Sequence, residues 1–129
     1  MMQKIKVWIK EEKCFADRIE TIRYYAKEIV LSWGGFCEID CFDFEDVIFT
    51  QSTGLKDKNG KKIFEGDIVD YKGRKAVIKW HSSYASFIYR FVDELKERVS
   101  EWHPLFLAYY HFEVIGNIYE NPELLEVEE

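Results

Sequence analysis

Residues 51–80, QSTGLKDKNGKKIFEGDIVDYKGRKAVIKW, carry the clearest structural signals in the sequence. Asn59-Gly60 is typical of a two-residue type I′ turn, in which both central residues adopt positive φ, and it therefore predicts a hairpin. Lys72-Gly73 marks a second turn before the run 74–80. Alternate residues of that run are apolar, which is typical of a strand with one buried face. Its predicted core side chains are Ala76, Ile78 and Trp80.

The same pattern continues towards the C terminus. Ser82-Ser83 separates the run 74–80 from residues 86–92, which predicts two antiparallel neighbours. Residues 113–119 form another apolar run, in which Gly116-Asn117 predicts a bulge or a close backbone approach. Several short strands with glycine at the corners predict a small closed or nearly closed barrel. The strand at 86–92 adds an aromatic face made of Phe87, Tyr89 and Phe91.

Residues 17–31 fit two different structures. Asp17 and Glu20 have the spacing of a capping box, and apolar residues follow at helical intervals, which favours a helix. The segment is also rich in β-branched residues and divides into two extended runs around residues 25–28, which favours strands. The pattern alone leaves both structures open.

Two further segments have simpler patterns. Residues 36–44 alternate acidic and apolar side chains, which predicts a strand. Residues 93–102 carry Leu95 and Val99 four positions apart among charged residues. This spacing predicts one or two turns of helix that end before Pro104.

Composition and charge limit the class of protein. The 129 residues correspond to one domain, and the aromatic fraction of 17% favours a β-rich fold. The net charge of -6 argues against attraction of the whole surface to nucleic acid or anionic lipid. No secretion signal or run of about 20 apolar residues is visible, and three cysteines cannot all pair within the chain. We therefore expect a cytoplasmic protein of a bacterial host, without membrane contact.

Residues 51–69 and 114–125, the latter reading VIGNIYENPELL, form a pair of distinctive blocks. Together they resemble the two signature blocks of the YopX family of phage and prophage proteins. The opening residues 4–8 are also similar to the first strand of that family. The resemblance spans nearly the whole chain, more weakly over 9–48 and 81–112.

The resemblance implies a single domain over residues 1–129 with an all-β fold and minor helix. It implies an SH3-like β-barrel over residues 51–129 and an additional N-terminal β portion over residues 1–50. It therefore favours strands for residues 17–31. For function it implies a phage or prophage setting, and it supplies no catalytic residue set.

The cysteines are weak candidates for a metal site. Cys14, Cys37 and Cys41 together with a histidine would supply four zinc ligands. Two strand positions four apart lie about 13 Å from each other, whereas two sulfurs on one zinc ion lie about 4 Å apart. Asp57-Lys58-Asn59-Gly60 also departs from a calcium loop, because lysines follow where oxygen ligands are required. We expect no metal and no cofactor.

Candidate catalytic groups are equally weak. His81 lies beside Ser82 and Ser83, but neighbours in a strand face opposite ways and no nucleophile motif surrounds them. A cluster of acids is explained by a charged strand edge that discourages strand addition. These acids are Asp43, Glu45 and Asp46. We expect a protein that binds and does not catalyse.

Residues 54–80 carry an excess of basic side chains in an otherwise acidic chain. This local charge favours contact with phosphates, and exposed aromatic rings nearby would offer stacking surfaces. The candidate nucleic-acid contacts are Lys58, Lys61, Lys62, Arg74 and Lys75. The candidate stacking residues are Tyr71, Trp80, Tyr84 and Tyr89. The other interpretation is that these lysines keep a hairpin soluble and its edges unpaired.

Residues 105–110 are apolar on both faces of a predicted strand. Such a run is buried either by a partner or inside the monomer, and both interpretations stay open. The candidate interface residues are Leu105, Phe106, Leu107, Tyr109 and Tyr110. We expect self-association or binding to another protein, with nucleic-acid binding through the hairpin 56–62 and the strand 74–80 as the alternative.

Overall fold

A computed structural model describes residues 5–95 and 102–126 of the chain. The fold is β-rich, as predicted, and the helical segments among these residues are short 3-10 turns. The chain divides into two compact units, Met1–Thr50 and Gln51–Glu129.

The first unit contains five complete strands in its described part. They are β1 (Ile5–Ile9), β2 (Cys14–Phe15), β3 (Arg18–Arg23), β4 (Glu28–Trp33) and β5 (Glu38–Asp43). β1 pairs with β2, and β4 lies between β3 and β5 in an antiparallel sheet. A 3-10 turn, Phe44–Asp46, leads into β6 (Val47–Lys56), which begins in this unit and ends in the second. The core consists of Val7, Ile9, Ile29, Leu31, Phe42 and Val47.

Residues 17–31 form strands, so the capping-box helix is wrong and the prediction from the family resemblance is confirmed. The Asp17 carboxylate accepts hydrogen bonds from the backbone N–H groups of Gly35 at 2.8 Å and Phe36 at 3.1 Å. It thereby stabilises the turn between β4 and β5. Glu20 forms an ion pair with Arg18 at 2.9 Å on the same strand. Both acids of the apparent capping box therefore stabilise sheet structure.

The second unit contains the end of β6 and six further strands among its described residues. They are β7 (Lys62–Phe64), β8 (Asp67–Tyr71), β9 (Arg74–His81), β10 (Ser86–Phe91), β11 (His103–Pro104) and β12 (Glu113–Asn117). Five of them form a curled half-barrel sheet in the order β11-β10-β9-β8-β12. The sheet curls as expected of a barrel, and β11 and β12 remain its two edges. The SH3-like assignment stays a prediction.

The two turns predicted at the start of this unit exist, but the turn at 59–60 is of a different type from the one predicted. Lys72-Gly73 is the two-residue turn with positive φ at both positions, 51° and 87°. At Asn59-Gly60 only Gly60 has positive φ. The N–H of Asp57 bonds to the carbonyl of Lys61 at 2.8 Å, which closes a three-residue loop. The type I′ prediction at 59–60 is therefore wrong, while the hairpin itself is confirmed.

The loop geometry is explained by the side chain of Asp57, which is only 6% exposed. One carboxylate oxygen accepts the N–H groups of Asn59 at 2.9 Å and Lys61 at 2.8 Å, and the other accepts the N–H of Val114 at 2.9 Å. Burial alone would raise the pKa of Asp57, but these backbone hydrogen bonds outweigh it and lower the pKa below its usual value. The charged carboxylate thus joins the hairpin to β12.

Strand β9 is buried on both faces at its centre, which corrects the prediction of one buried face. Ala76 and Ile78 pack in the main core of the unit, while Val77 packs on the opposite face against Ile68 and Val92. The predicted aromatic strand contributes Tyr89 and Phe91 to the main core. That core consists of Ile63, Val69, Ala76, Ile78, Tyr89, Phe91, Leu105, Ala108 and Phe112. Trp80, predicted to be in the core, is 42% exposed.

The predicted irregularity near Gly116 is a β-bulge, because the pairing of β12 with β8 shifts register between Val114 and Gly116. The backbone also approaches another segment closely here. A Cβ atom on Gly116 would lie 2.6 Å from Oδ1 of Asn121, the atom that accepts the N–H of Asn117 at 3.2 Å. Both parts of that prediction are confirmed.

The predicted helix over residues 93–102 lies mostly outside the described residues. Its described beginning forms a 3-10 turn, Val92–Glu94, which follows directly on β10.

Asp57→Asn is expected to lower the free energy of unfolding at neutral pH by about 1–3 kcal/mol, because an amide NH₂ group cannot accept the N–H of Val114. The lowered pKa of Asp57 sets the pH dependence of this stabilisation. Stabilisation by the carboxylate is fully present above the unfolded value of 3.8 and is lost as pH falls through the folded value. Urea unfolding over a pH series should show the difference between wild type and variant shrinking below pH 3.8.

Asp46→Asn serves as the control, because Asp46 is exposed and its side chain makes no hydrogen bond or ion pair with any residue in the described ranges. It should leave unfolding unchanged. A stability difference for Asp57→Asn that stayed constant across the pH series would contradict the assigned role of the carboxylate.

Gly116→Ala is expected to destabilise the protein by about 1–3 kcal/mol, because the added methyl group displaces the Asn121 side chain from the N–H of Asn117. Thermal unfolding followed by circular dichroism measures this loss. Ile115→Ala, at the neighbouring and partly exposed position, should cost less. The reverse order would show that the close approach at Gly116 is unimportant.

Candidate functional site

Residues 105–110 form two 3-10 turns, Leu105–Leu107 and Tyr109–His111, so the predicted strand is wrong. Their hydrogen bonds are local, with the N–H of Ala108 bonding to the carbonyl of Leu105 at 3.0 Å. The inward side chains are Leu105, Ala108 and Phe112. Their spacing of three and four positions fits helical turns, and this signal was present in the sequence.

The turns separate the five candidate interface residues. Leu105 is fully buried in the core, which excludes it from a surface and corrects that prediction. Tyr109 is half-buried and packs against the same core. Phe106, Leu107 and Tyr110 each expose more than half of their surface. These three remain accessible to a partner.

Phe106 also lines a concave, uncharged surface, which we call the aromatic cleft. The cleft has a volume of about 360 Å³. Its lining includes the edge-to-face pair of Trp80 and Phe87, whose ring centroids are 4.9 Å apart. The lining residues are Thr53, Leu55, Trp80, Ala85, Ser86, Phe87, Leu105 and Phe106. No charged side chain is among them.

The hairpin lysines differ in their surroundings. Nζ of Lys58 lies 3.9 Å from a carboxylate oxygen of Glu113 on β12. Lys61 and Lys62 form no ion pair with any residue that the structure describes. The charge of Lys61 helps to lower the pKa of the nearby Asp57 carboxylate, so Lys62 is the hairpin candidate for which no acidic neighbour is found in the described residues.

Arg74 is strongly engaged within the chain. Its guanidinium bonds to Asp93 at 2.8 Å and Glu94 at 3.2 Å, and it lies 3.6 Å from the ring centre of Phe91. The hydrogen bond that the guanidinium donates to Asp93 is the main cause of the raised pKa of Arg74. Lys75 lies opposite Asp70 across the β8–β9 pair. The structure therefore places both predicted contacts beside acidic residues.

The candidate stacking residues also divide by exposure. Trp80 and Tyr84 are exposed, at 42% and 64%. Tyr89 is buried among core rings, and burial raises the pKa of its hydroxyl. Tyr71 packs edge-to-face on Phe112 with centroids 5.3 Å apart. Only Trp80 and Tyr84 of this set can present a ring to a ligand.

The sequence reasoning missed a group of three rings around Tyr84. The ring centroids of His81, Tyr84 and Trp102 are mutually 4.9 Å apart. His81 ends β9, Tyr84 lies in the 3-10 turn Ser82–Tyr84, and Trp102 precedes β11. The group depends on the pairing of the strand at 86–91 with residues that follow position 102. No pattern in the sequence indicates this pairing.

Cys37 and Cys41 are exposed and form no disulfide. The Cys41 thiol donates a hydrogen bond to Glu28 at 3.0 Å, and this bond is the main reason that the pKa of Cys41 is raised. Within residues 5–95 and 102–126, no group of three or more histidine, cysteine or acidic residues is placed to hold a metal ion. The carboxylate oxygens of Asp57 are occupied by backbone N–H groups.

The candidate catalytic groups are dispersed. His81 packs in the ring group described above, and Asp43, Glu45 and Asp46 are exposed around the 3-10 turn after β5. None of the helices in the described ranges is long and apolar enough to span a membrane.

Comparison with known proteins identifies the family. A search of curated proteins gives no match. Among solved structures, the crystal structure of protein EF1440 from Enterococcus faecalis is similar, with 29% sequence identity and a TM-score of 0.61. The match covers 98% of this chain and 99% of that one. The family model described as YopX protein matches residues 3–126, and the chain therefore belongs to the YopX family.

Proposed function

We propose that the protein acts by binding and not by catalysis, and that it engages another protein or a second copy of itself through the aromatic cleft. The observation that carries this proposal is the combination of a concave, uncharged surface with exposed aromatic side chains at its rim. Trp80 and Phe106 line the cleft, and both are substantially exposed.

Burial of the exposed apolar side chains at an interface would contribute hydrophobic free energy to binding. Fully burying a side chain such as Phe or Leu contributes about 1.5–3 kcal/mol. Phe106 and Leu107 are 60% and 61% exposed, so most of that contribution is available to an interface. Aromatic anchors that enter a concave, desolvated surface dominate the energy of many protein interfaces.

The absence of charge from the cleft lining distinguishes a protein partner from nucleic acid. Interface centres between proteins are depleted of charged residues and enriched in aromatic ones. Nucleic-acid surfaces instead place cations where phosphates lie. The lining of the cleft, which includes Leu105 and Phe106, has no charged side chain and therefore has the composition of a protein–protein interface centre.

Family membership supports the setting in which we place this activity. The proposal is a phage or prophage accessory protein that works in the cytoplasm of a bacterial host as an interaction or assembly module. An SH3-like arrangement of the second unit is part of the same proposal, and the curled five-stranded sheet supports it.

Phe106→Ser is expected to weaken association by about 30-fold or more, because an aromatic anchor at an interface contributes about 2 kcal/mol. Sedimentation equilibrium measures self-association directly. For a different partner, a photo-crosslinking amino acid at position 106 identifies the protein in bacterial cytoplasm. The purified partner is then titrated against wild type and Phe106→Ser.

Phe36→Ser is a matched control, because Phe36 is 61% exposed and lies in the first unit. It should leave both measurements unchanged. A monomeric wild type that also gives no crosslink from position 106, or equal effects of the two substitutions, would contradict the proposed role of the cleft.

A further inference from the structure

The two faces of β9 and β10 carry different chemistry at their exposed ends. Successive strand residues point to opposite faces, so Trp80 and His81 lie on opposite sides of the sheet. Trp80 lines the aromatic cleft, whereas His81 lies on the other side, which we call the outer face. Apart from Ser86, which borders the aromatic cleft, the outer-face residues of the two strands are Lys75, Val77, Lys79, His81, Ile88 and Arg90.

Two of these residues, Lys79 and Arg90, form a cationic pair. Arg90 lies opposite Val77 and Ile88 lies opposite Lys79, so Arg90 and Lys79 are diagonal neighbours about 7–8 Å apart. Neither forms an ion pair within the part of the chain that the structure describes. Nε of Arg90 is buried and has no hydrogen-bond partner among the residues that the structure describes. Within those residues, neither cation is therefore neutralised by an acidic side chain.

The surroundings of Lys79 make this arrangement unfavourable without an anion. Burial, followed by the charge of Arg90, lowers the pKa of Lys79. The residue between the pair, Ile88, is buried and apolar, so it supplies no compensating group. Lys75 differs, because it faces Asp70 across the strands. A bound anion would offset the repulsion between Lys79 and Arg90.

The ring group of His81, Tyr84 and Trp102 lies next to this cationic pair. His81 is two residues from Lys79 on the same face of β9, a separation of about 6.6 Å. Tyr84 exposes 64% of its surface and is the most accessible ring of the three. Nδ1 of His81 is buried and has no hydrogen-bond partner in the described part of the chain. Aromatic surface and the two cations are thus adjacent on one face.

We propose that the outer face of β9 and β10 binds the base-and-phosphate unit of single-stranded nucleic acid, with Lys79 and Arg90 at the phosphate and the ring of Tyr84 stacked on the base. Single-strand sites combine basic grooves with stacking aromatic residues in this way. Duplex bases are already stacked on one another and leave no face for Tyr84. An acidic peptide would use the cations but not the ring.

The proposal goes beyond the protein-binding function and moves the predicted nucleic-acid contact to another surface. Lys58, Arg74 and Lys75 lie beside acids, as described above. Lys79 and Arg90 form no ion pair within residues 5–95 and 102–126. Because the net charge is -6, long-range attraction does not contribute, and binding should depend on these local contacts.

The first test measures fluorescence anisotropy of a labelled oligothymidylate strand over a salt series. Wild type should bind with an affinity that falls with salt. Lys79→Gln combined with Arg90→Gln should reduce the slope of log affinity against log salt by about 1.4, since each single-strand phosphate contact contributes about 0.7. Lys61→Gln with Lys62→Gln is the matched control and should leave the slope unchanged. Thermal unfolding of each variant checks that the fold persists.

The second test separates stacking from charge. Tyr84→Ala should weaken binding of the strand roughly 5- to 150-fold while leaving the salt slope unchanged, as expected for one stacked base. Tyr25→Ala is the control, because Tyr25 is 90% exposed in the first unit. It should have no effect. Phe106→Ser should not change strand binding either, which keeps this result independent of the aromatic cleft.

Competitors identify the ligand that uses the outer face. If thymidine monophosphate competes much more weakly than the strand, the result supports a strand site. If it binds with equal affinity per site, the result assigns the face to free nucleotides and overturns the single-strand assignment. Preferential binding of poly-glutamate would assign it to an acidic protein. The proposal would also be overturned if wild type showed no salt-sensitive binding of the strand. Loss of strand binding only in Lys61→Gln with Lys62→Gln would overturn it as well.

Discussion

The buried carboxylate of Asp57 is the constraint on which the second unit depends. It accepts N–H groups from its own loop and from Val114, 57 residues later, so a local turn and a distant strand are stabilised by one charge. A second bond, from the N–H of Lys58 to the carbonyl of Phe112, runs beside it at 2.9 Å. Phe112 lies in the core with the inward side chains of the 3-10 turns. The same connection therefore positions the segment from which Phe106 and Leu107 project.

The half-barrel sheet brings two surfaces of different chemistry together at the ends of β9 and β10. On one side Trp80 and Phe87 extend the core outwards into the uncharged cleft. On the other, Lys79 and Arg90, which form no ion pair within residues 5–95 and 102–126, lie beside three packed rings. Under the two proposals above, one strand pair would separate the surface for apolar protein groups from the surface for phosphates and bases.

The sequence predicts much of this architecture, because periodicity and turn chemistry are local properties. The strands at 74–81 and 86–91, the hairpin tip and the bulge near Gly116 all follow from short patterns. The turn type at 59–60 does not, since it depends on a buried acid bonded to Val114. The ring group is equally non-local, because Trp102 reaches His81 only through the pairing of β11 with β10. Leu105 was misplaced because a strand was assumed where 3-10 turns form.

The tight turn at Lys72-Gly73, with both residues at positive φ, fixes the register at which β9 enters the sheet. In a strand, a slip of one position exchanges the two faces. Here such a slip would carry Trp80 to the cationic side and Lys79 and His81 into the apolar cleft. During divergence of related chains, insertion or deletion of a single residue in this loop would therefore change ligand preference more than substitution of the loop side chains, although the loop itself touches neither surface.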